Sequence, residues 1–275
     1  SPSSADVWHL VRAIGRGSSG EVYLASNAMG HTAAVKIVSL VNRPEADLRR
    51  HVQLIERELT VLKAIPQHTN VVRYLTHRCR GNRVFIFMEY CEGRSLRQVY
   101  IQKGGPCSLE ETRTYTEELT KGLRHLHSHG IAHRDVKCDN VLMDKGVAKI
   151  GDFGAAIVLG NYHQSSFIGS IYWMAPEVVK RNGHNWQADI WSIGCTVIEM
   201  MSANHPFPEY PSVDLMTEYL ASQVAVTVPS FIVDPHARSF VATCLKRDPA
   251  ERVRCDVLLD HIFFKSSRSD VSQAP

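Results

Sequence analysis

The eight residues HRDVKCDN, positions 133–140, set an imidazole, a carboxylate, an ammonium and an amide side by side, directly after a segment with helical apolar spacing. Asp135 is suited to orient an attacking hydroxyl or take its proton, Lys137 to neutralise a transferring phosphoryl group, and Asn140 to ligate a hard cation through its amide oxygen. Taken alone, a charged surface loop explains the stretch about as well. Just downstream, the short apolar runs 141–143 and 147–150 read as a small hairpin, and Asp152, Phe153 and Gly154 follow it. An Asp there can bind Mg²⁺ where a flexible Gly lets the chain turn.

Upstream, Gly15, Gly17 and Gly20 followed by Val22 spell GRGSSGEV between two segments that read as strands. Such glycines let backbone N–H groups approach phosphates closely, although a Gly-rich hairpin is the plainer reading. A strand and not a helix follows, which excludes a dinucleotide-binding fingerprint, and the GxxxxGK[ST] pattern of a P-loop is absent. Lys36 lies in AAVK within the predicted strand 33–40, where a buried ammonium needs a partner to offset its desolvation. The next helix offers Glu56 and Glu58. Both fall on the rim of its apolar face, so helical geometry does not choose between them.

The remaining pattern is strand-rich, then helix-rich. Runs 21–26, 33–40, 71–77 and 84–87 are dense in Val, Ile, Tyr and Phe and predict short strands. One helix interrupts them: Pro44 suits its first position, and Leu48, Val52, Ile55, Leu59 and Leu62 recur at alternating steps of four and three. After Gly93 the reading turns helical. Ser108 with Glu111 forms a capping-box signature, and the prolines from Pro206 to Pro249 punctuate the later helices. The fold class expected is α+β, with two unlike lobes meeting near residues 89–93 and a ligand cleft between them. Residues 266–275 are Ser-rich without apolar periodicity and predict a disordered tail.

Composition narrows the function. The chain has 275 residues, with 31 Lys+Arg against 28 Asp+Glu and a formal net charge of +3. That balance lacks the clustered positive excess of a protein that works by neutralising nucleic-acid phosphates. Seven cysteines without a CxxC pair argue against a disulfide framework or a zinc site and for a reducing, cytoplasmic setting. The most apolar stretch, 190–201, is interrupted by Ser192 and Glu199, is too short to span a bilayer, and reads as a buried helix. The chain opens at Ser1-Pro2 without a basic-then-apolar leader, from which a processed or excised segment is expected.

Taken in order, GRGSSGEV, AAVK with Lys36, HRDVKCDN, DFG at 152–154 and APE at 175–177 resemble the protein kinase catalytic domain. The resemblance implies a bilobal kinase fold over 1–265, with an N-lobe of about 1–88, a hinge at 89–94 and a C-lobe at 95–265. It implies ATP and Mg²⁺ as cofactors. ELTVLKAI resembles the segment whose first Glu pairs with the strand Lys, which selects Glu58. Gly15, Gly17 and Gly20 would cover the nucleotide phosphates, and Lys36 would contact them. Asp152 and Asn140 would hold the metal, while Asp135 and Lys137 would serve the transfer itself. Ile14, Val22, Ala34 and Leu142 would sandwich the adenine, with its edge on backbone at Glu89 and Cys91 and with Met88 at the back. Asp189 would bond to catalytic-loop backbone, and Glu177 would pair with Arg252.

Lys137 and Ser170, the latter where serine/threonine kinases carry Thr, imply Ser or Thr substrates. Ser166, three residues before Gly169, is the expected regulatory phosphosite and Ser165 the runner-up, with Arg134 as the partner of the phosphate. GSIYWMAPEVV, MEYCEGRSL and ELTVLK are most similar to MAP kinase kinase kinases of the sterile-type group, with p21-activated and germinal-centre kinases as competitors. Arg94 and the pair Cys138-Asp139 depart from the usual small residues. The partners implied are a MAP kinase kinase as protein substrate and an upstream activating kinase, or autophosphorylation. Neither nucleic acid nor a membrane span is expected. A pseudokinase scaffold is the reading from another class, but it usually lacks the Lys or one of the two Asp residues. A small-molecule kinase fits the APE segment less well.

Overall fold

The structure is a computed structural model that describes residues 7–17, 20–41, 44–160, 170–181 and 185–265. Five antiparallel strands form the first sheet: β1 Trp8–Gly17, β2 Gly20–Asn27, β3 Thr32–Ser39, β4 Tyr74–Arg80 and β5 Arg83–Met88, in the order β1-β2-β3-β5-β4. Helix α1, Glu45–Ala64, packs on one face through Ile55, Val61 and Leu62. Ala25, Ala33, Val35 and Phe87 form a separate small cluster with Trp8, Ile37 and Phe85. Alternation along β3 therefore sends Lys36 and Val38 to the α1 side and Val35 and Ile37 to the other.

The remaining elements are mostly helical. They are α2 Leu96–Lys103, α3 Leu109–Ser128, β6 Ile131–Ala132, β7 Val141–Asp144, β8 Val147–Ile150, β9 Ile157–Val158, α4 Pro176–Val179, α5 Trp186–Ser202, α6 Val213–Ala221, α7 Pro235–Cys244, α8 Cys255–Leu259 and α9 Ile262–Lys265. Helix α5 is apolar nearly all round and buried from Ala188 to Met200, so it serves as the axis against which α3 and α7 pack. The predicted capping box is present at α3, where Ser108 accepts from the Glu111 N–H and Glu111 accepts from the Ser108 N–H. Among the described residues no helix is long and apolar enough to cross a membrane. All seven cysteines are unpaired thiols.

Two local expectations need correction. Pro44 is the N-cap of α1 and not its first helical residue. The strand expected at 71–77 begins only at Tyr74, because Val71 and Val72 are buried against β8, where the Val72 N–H donates to Ile150 O at 2.8 Å. The ladder is instead extended at its far end through exposed residues 78–80, an edge with no apolar signature. The expected tail, 266–275, lies outside the described residues.

Candidate active site

Lys36 is only 6% exposed, in the middle of β3 between Val22 of β2 and Ile86 of β5. Its Nζ donates to Glu58 Oε1 at 2.7 Å and lies 3.7 Å from Asp152 Oδ1. Burial alone would push the ammonium down, but the charges of Glu58 and Asp152 outweigh it and hold the pKa above the ordinary lysine value. Lys36 is therefore a buried, charged group at neutral pH. Glu58 is buried, whereas Glu56 is exposed and its carbonyl accepts from the Thr60 hydroxyl. Helix placement makes the choice that periodicity leaves open.

Asp152 follows β8 in a left-handed conformation, φ 53°, where its carboxylate accepts from the Gly154 N–H. Asp is among the few side chains that tolerate this region. Its side chain remains 51% exposed, so the carboxylate faces solvent on one side and Lys36 on the other. Phe153 is buried edge-on to the His133 ring, and His133 Nε2 donates to Gly151 O at 2.9 Å.

The 133–140 segment is fixed from below by Asp189 of α5, which is fully buried. Its Oδ2 accepts from the His133 N–H at 2.9 Å and from His127 Nε2 at 2.8 Å, and its Oδ1 accepts from the Arg134 N–H at 2.7 Å. Arg134 has φ 71°, an uncommon backbone state that these bonds secure. Burial pushes its guanidinium down to about 10, with Asp189 opposing the shift and Arg57 of α1 adding to it.

Around Asp135 the polar groups converge. Lys137 Nζ and Asn140 Nδ2 donate to Oδ2 at 2.9 and 2.8 Å, and the Ser170 N–H donates to Oδ1 at 3.1 Å. Lys137 also donates to the Ser170 hydroxyl at 2.6 Å. Burial would raise the Asp135 pKa, but Lys137, His133 and Asn140 outweigh it and hold the carboxyl below its usual range. Asn140 donates to the Asp135 carbonyl as well, at 2.8 Å. Its nitrogen is thus committed, and its amide oxygen is the atom left for a hard cation.

The Gly-rich segment is a hairpin in which Gly17 pairs with Gly20 and Gly15 with Val22. A Cβ on Gly20 would lie 2.3 Å from Ile37 O, so glycine is required there by the neighbouring strand. Ile14, Val22, Ala34 and Leu142 are all half-buried, and Ala34 pairs with Met88 across β3 and β5. The Glu89 N–H donates to Arg73 O at 2.9 Å. Gly93 presses on β7: a Cβ there would lie 2.2 Å from Met143 O. Cys91 is buried, and burial with the nearby Glu89 pushes its thiol up to about 12. Ser165 and Ser166 lie outside the described residues.

Residue reasoning alone missed Glu199, whose buried carboxylate gathers the Cys138 N–H at 3.1 Å, Trp173 Nε1 at 2.9 Å and the Tyr100 hydroxyl at 3.1 Å. The available signal was a lone charge inside the apolar run 190–201. Asp139, next to Cys138 in sequence, is exposed and pairs with Arg97 at 3.0 Å. The two departures at 138–139 therefore sit in the framework: Cys138 is buried, and Asp139 ties the turn to α2.

A kinase-like constellation on a strand-rich and a helix-rich part defines the class, and the chain belongs to the protein kinase domain family, which matches residues 8–264. It is similar to mitogen-activated protein kinase kinase kinase 1a of Physcomitrium patens, 38% identical over 261 residues, 94% of this chain and 34% of that protein. Mitogen-activated protein kinase kinase kinase YODA of Arabidopsis thaliana is 36% identical over 263 residues, covering 94% of this chain and 29% of its own length. Mitogen-activated protein kinase kinase kinase A of Dictyostelium discoideum is 34% identical over 262 residues, 93% and 28% of the two chains. The chain spans about a third of the length of these curated relatives.

Proposed function

We propose that residues 1–265 form the catalytic domain of a serine/threonine protein kinase, divided at a hinge of residues 89–94. It would transfer the γ-phosphoryl group of ATP to a Ser or Thr hydroxyl of a MAP kinase kinase. The observation that carries the reading is the convergence of Lys36, Glu58 and Asp152 on one side and Asp135, Lys137 and Asn140 on the other. The similarity to three proteins named as MAP kinase kinase kinases favours that subgroup over the p21-activated and germinal-centre kinases.

The residues fit the cofactors. Asp152 offers a half-exposed carboxylate and Asn140 an uncommitted amide oxygen, both hard donors. Two protein oxygens suffice for Mg²⁺, a cation that keeps several waters and shares substrate phosphates. When bound, Mg²⁺ neutralises the phosphates as charge shifts during transfer.

The chain's own groups do the rest. Lys36, held by Glu58, binds the α- and β-phosphates with its retained charge. Backbone N–H groups around Gly15, Gly17 and Gly20 cover the phosphates, Ile14, Val22, Ala34 and Leu142 hold the adenine, and Met88 closes the back. The Glu89 carbonyl and the Cys91 N–H take its edge. Asp135, ionised at neutral pH, orients the substrate hydroxyl and accepts its proton. The substrate oxygen forms a bond to the γ-phosphorus, and the bond from phosphorus to the β–γ bridging oxygen breaks. Lys137, held between Asp135 and Ser170, stabilises the group in transit. Phosphate on Ser166, or on Ser165, would pair with Arg134.

Phosphotransfer from Mg-ATP to a catalytically dead MAP kinase kinase, compared with a generic basic protein, tests the substrate. Labelling of the MAP kinase kinase on Ser or Thr is expected. Transfer to the generic protein alone would move the subgroup.

A further inference from the structure

Apart from the reacting groups, an ionic clamp joins the hinge to the strand that leads into Asp152. Glu89 commits both carboxylate oxygens: Oε1 accepts from the Arg73 N–H at 2.7 Å and Oε2 from Lys149 Nζ at 2.8 Å. Its own N–H donates to Arg73 O, so hinge and loop are locked by a reciprocal pair of bonds. Lys149 lies on β8 and reaches Asp144 Oδ2 at 3.3 Å as well. The same loop is laced to β8 by backbone, with Ile150 N–H donating to Asn70 O at 2.9 Å and Val72 N–H to Ile150 O at 2.8 Å. Lys149 is 13% exposed and Glu89 20%, enough shielding for the pair to resist screening better than a surface bridge.

Resting on the kinase reading, we propose that Glu89 and Lys149 are positioning residues for the nucleotide. Glu89 presents through its carbonyl the edge that takes the adenine, while Lys149 belongs to the strand that delivers Asp152. Their ion pair sets the separation between the two ends of the ligand's seat. Burial would lower the Lys149 pKa, but Glu89 and Asp144 outweigh it and keep the ammonium charged. The clamp therefore persists across the neutral range. Preorganisation of this kind is spent on binding and not on the chemical step, so its loss shows in nucleotide affinity and leaves turnover at saturation alone.

The test is direct titration of the unmodified protein, Glu89→Gln, Lys149→Met and the double variant with magnesium ADP, which needs no turnover, alongside kcat and KM for ATP. Each single variant is expected to weaken nucleotide binding by about tenfold, the size of one charge-assisted bond, and Lys149→Met to keep kcat within about twofold. The double variant should be no weaker than the singles, because both remove one interaction. Lys149→Arg, which keeps the charge, should retain affinity and guards against a loss of fold. Unchanged affinity in both singles, a fall in kcat at constant affinity, or additive losses in the double would each overturn the proposal. If the unmodified protein fails to bind magnesium ADP, the kinase reading fails with it; normal binding in all four proteins sinks only the clamp.

Discussion

Removing the Arg252 guanidinium should cost the protein a large part of its stability. Its side chain is fully buried and meets Glu177 in a bidentate pair, Nη1 to Oε1 at 2.6 Å and Nη2 to Oε2 at 2.8 Å. The same group donates to the carbonyls of Lys246, Gln187 and Arg247 at 2.7, 3.0 and 3.2 Å, and it lies over the Trp191 ring. Arg252→Met keeps much of the volume but leaves a mostly buried carboxylate and three carbonyls unanswered. Breaking one side of such a pair costs about 3–5 kcal/mol. For a chain of this size each kcal/mol lowers Tm by about 2–4 °C, so a drop of about 6–20 °C is expected in a calorimetric melt. Glu177→Gln retains one acceptor and should lose less, about 1–2 kcal/mol. Replacing both, as Arg252→Met with Glu177→Leu, removes the stranded charge and should recover part of the loss. A single Arg252→Met variant melting within about 3 °C of the unmodified protein would refute the reasoning, as would a double variant less stable than either single.

Three further outcomes follow from the same geometry. Burial would raise the Asp189 pKa, but the His127 bond, the charges of both histidines and the backbone bond from Arg134 hold it below its usual value. A depressed carboxyl stabilises above its unfolded pKa, so the stability gap between the unmodified protein and Asp189→Asn should be full at neutral pH. It should close as pH falls below about 4, followed by denaturant titration. Cys79 is the one exposed thiol, and burial pushes Cys91 and Cys107 up to about 12 and about 11. A maleimide reagent should therefore label one thiol in the native state and seven after denaturation, as mass spectrometry would count them. Gly93→Ala forces a methyl against Met143 O and should cost about 1–3 kcal/mol by urea titration.

Much of the site is readable along the chain because the chemistry is concentrated in short segments. Residues 133–140 carry Asp135, Lys137 and Asn140 together, and the structure finds them bonded to one another. Lys36 and Glu58 are harder. The apolar period of α1 leaves Glu56 and Glu58 equivalent, and only the docking of that helix on the sheet separates them. Glu199 and Lys149 act through partners 61 and 60 residues away, a separation for which local pattern has no sensor. The shift of β4 has the same origin: Val71 and Val72 look like strand residues, but outside any strand they bridge and bond to Ile150 of β8 and not to β5. The pairing of Arg252 with Glu177, by contrast, is legible only through resemblance, since nothing local in either segment names the other.

The most direct test of the central claim is Mg-ATP-dependent phosphotransfer by the unmodified protein and by Asp152→Asn, with circular dichroism to establish that both are folded. Asp152 is half exposed and contributes little to the core, so the variant should keep its fold and lose phosphotransfer by about 100-fold or more. Equal phosphotransfer by the two proteins would contradict the assignment of Asp152 to the metal and, with it, the mechanism built on Lys36, Glu58 and Asp135.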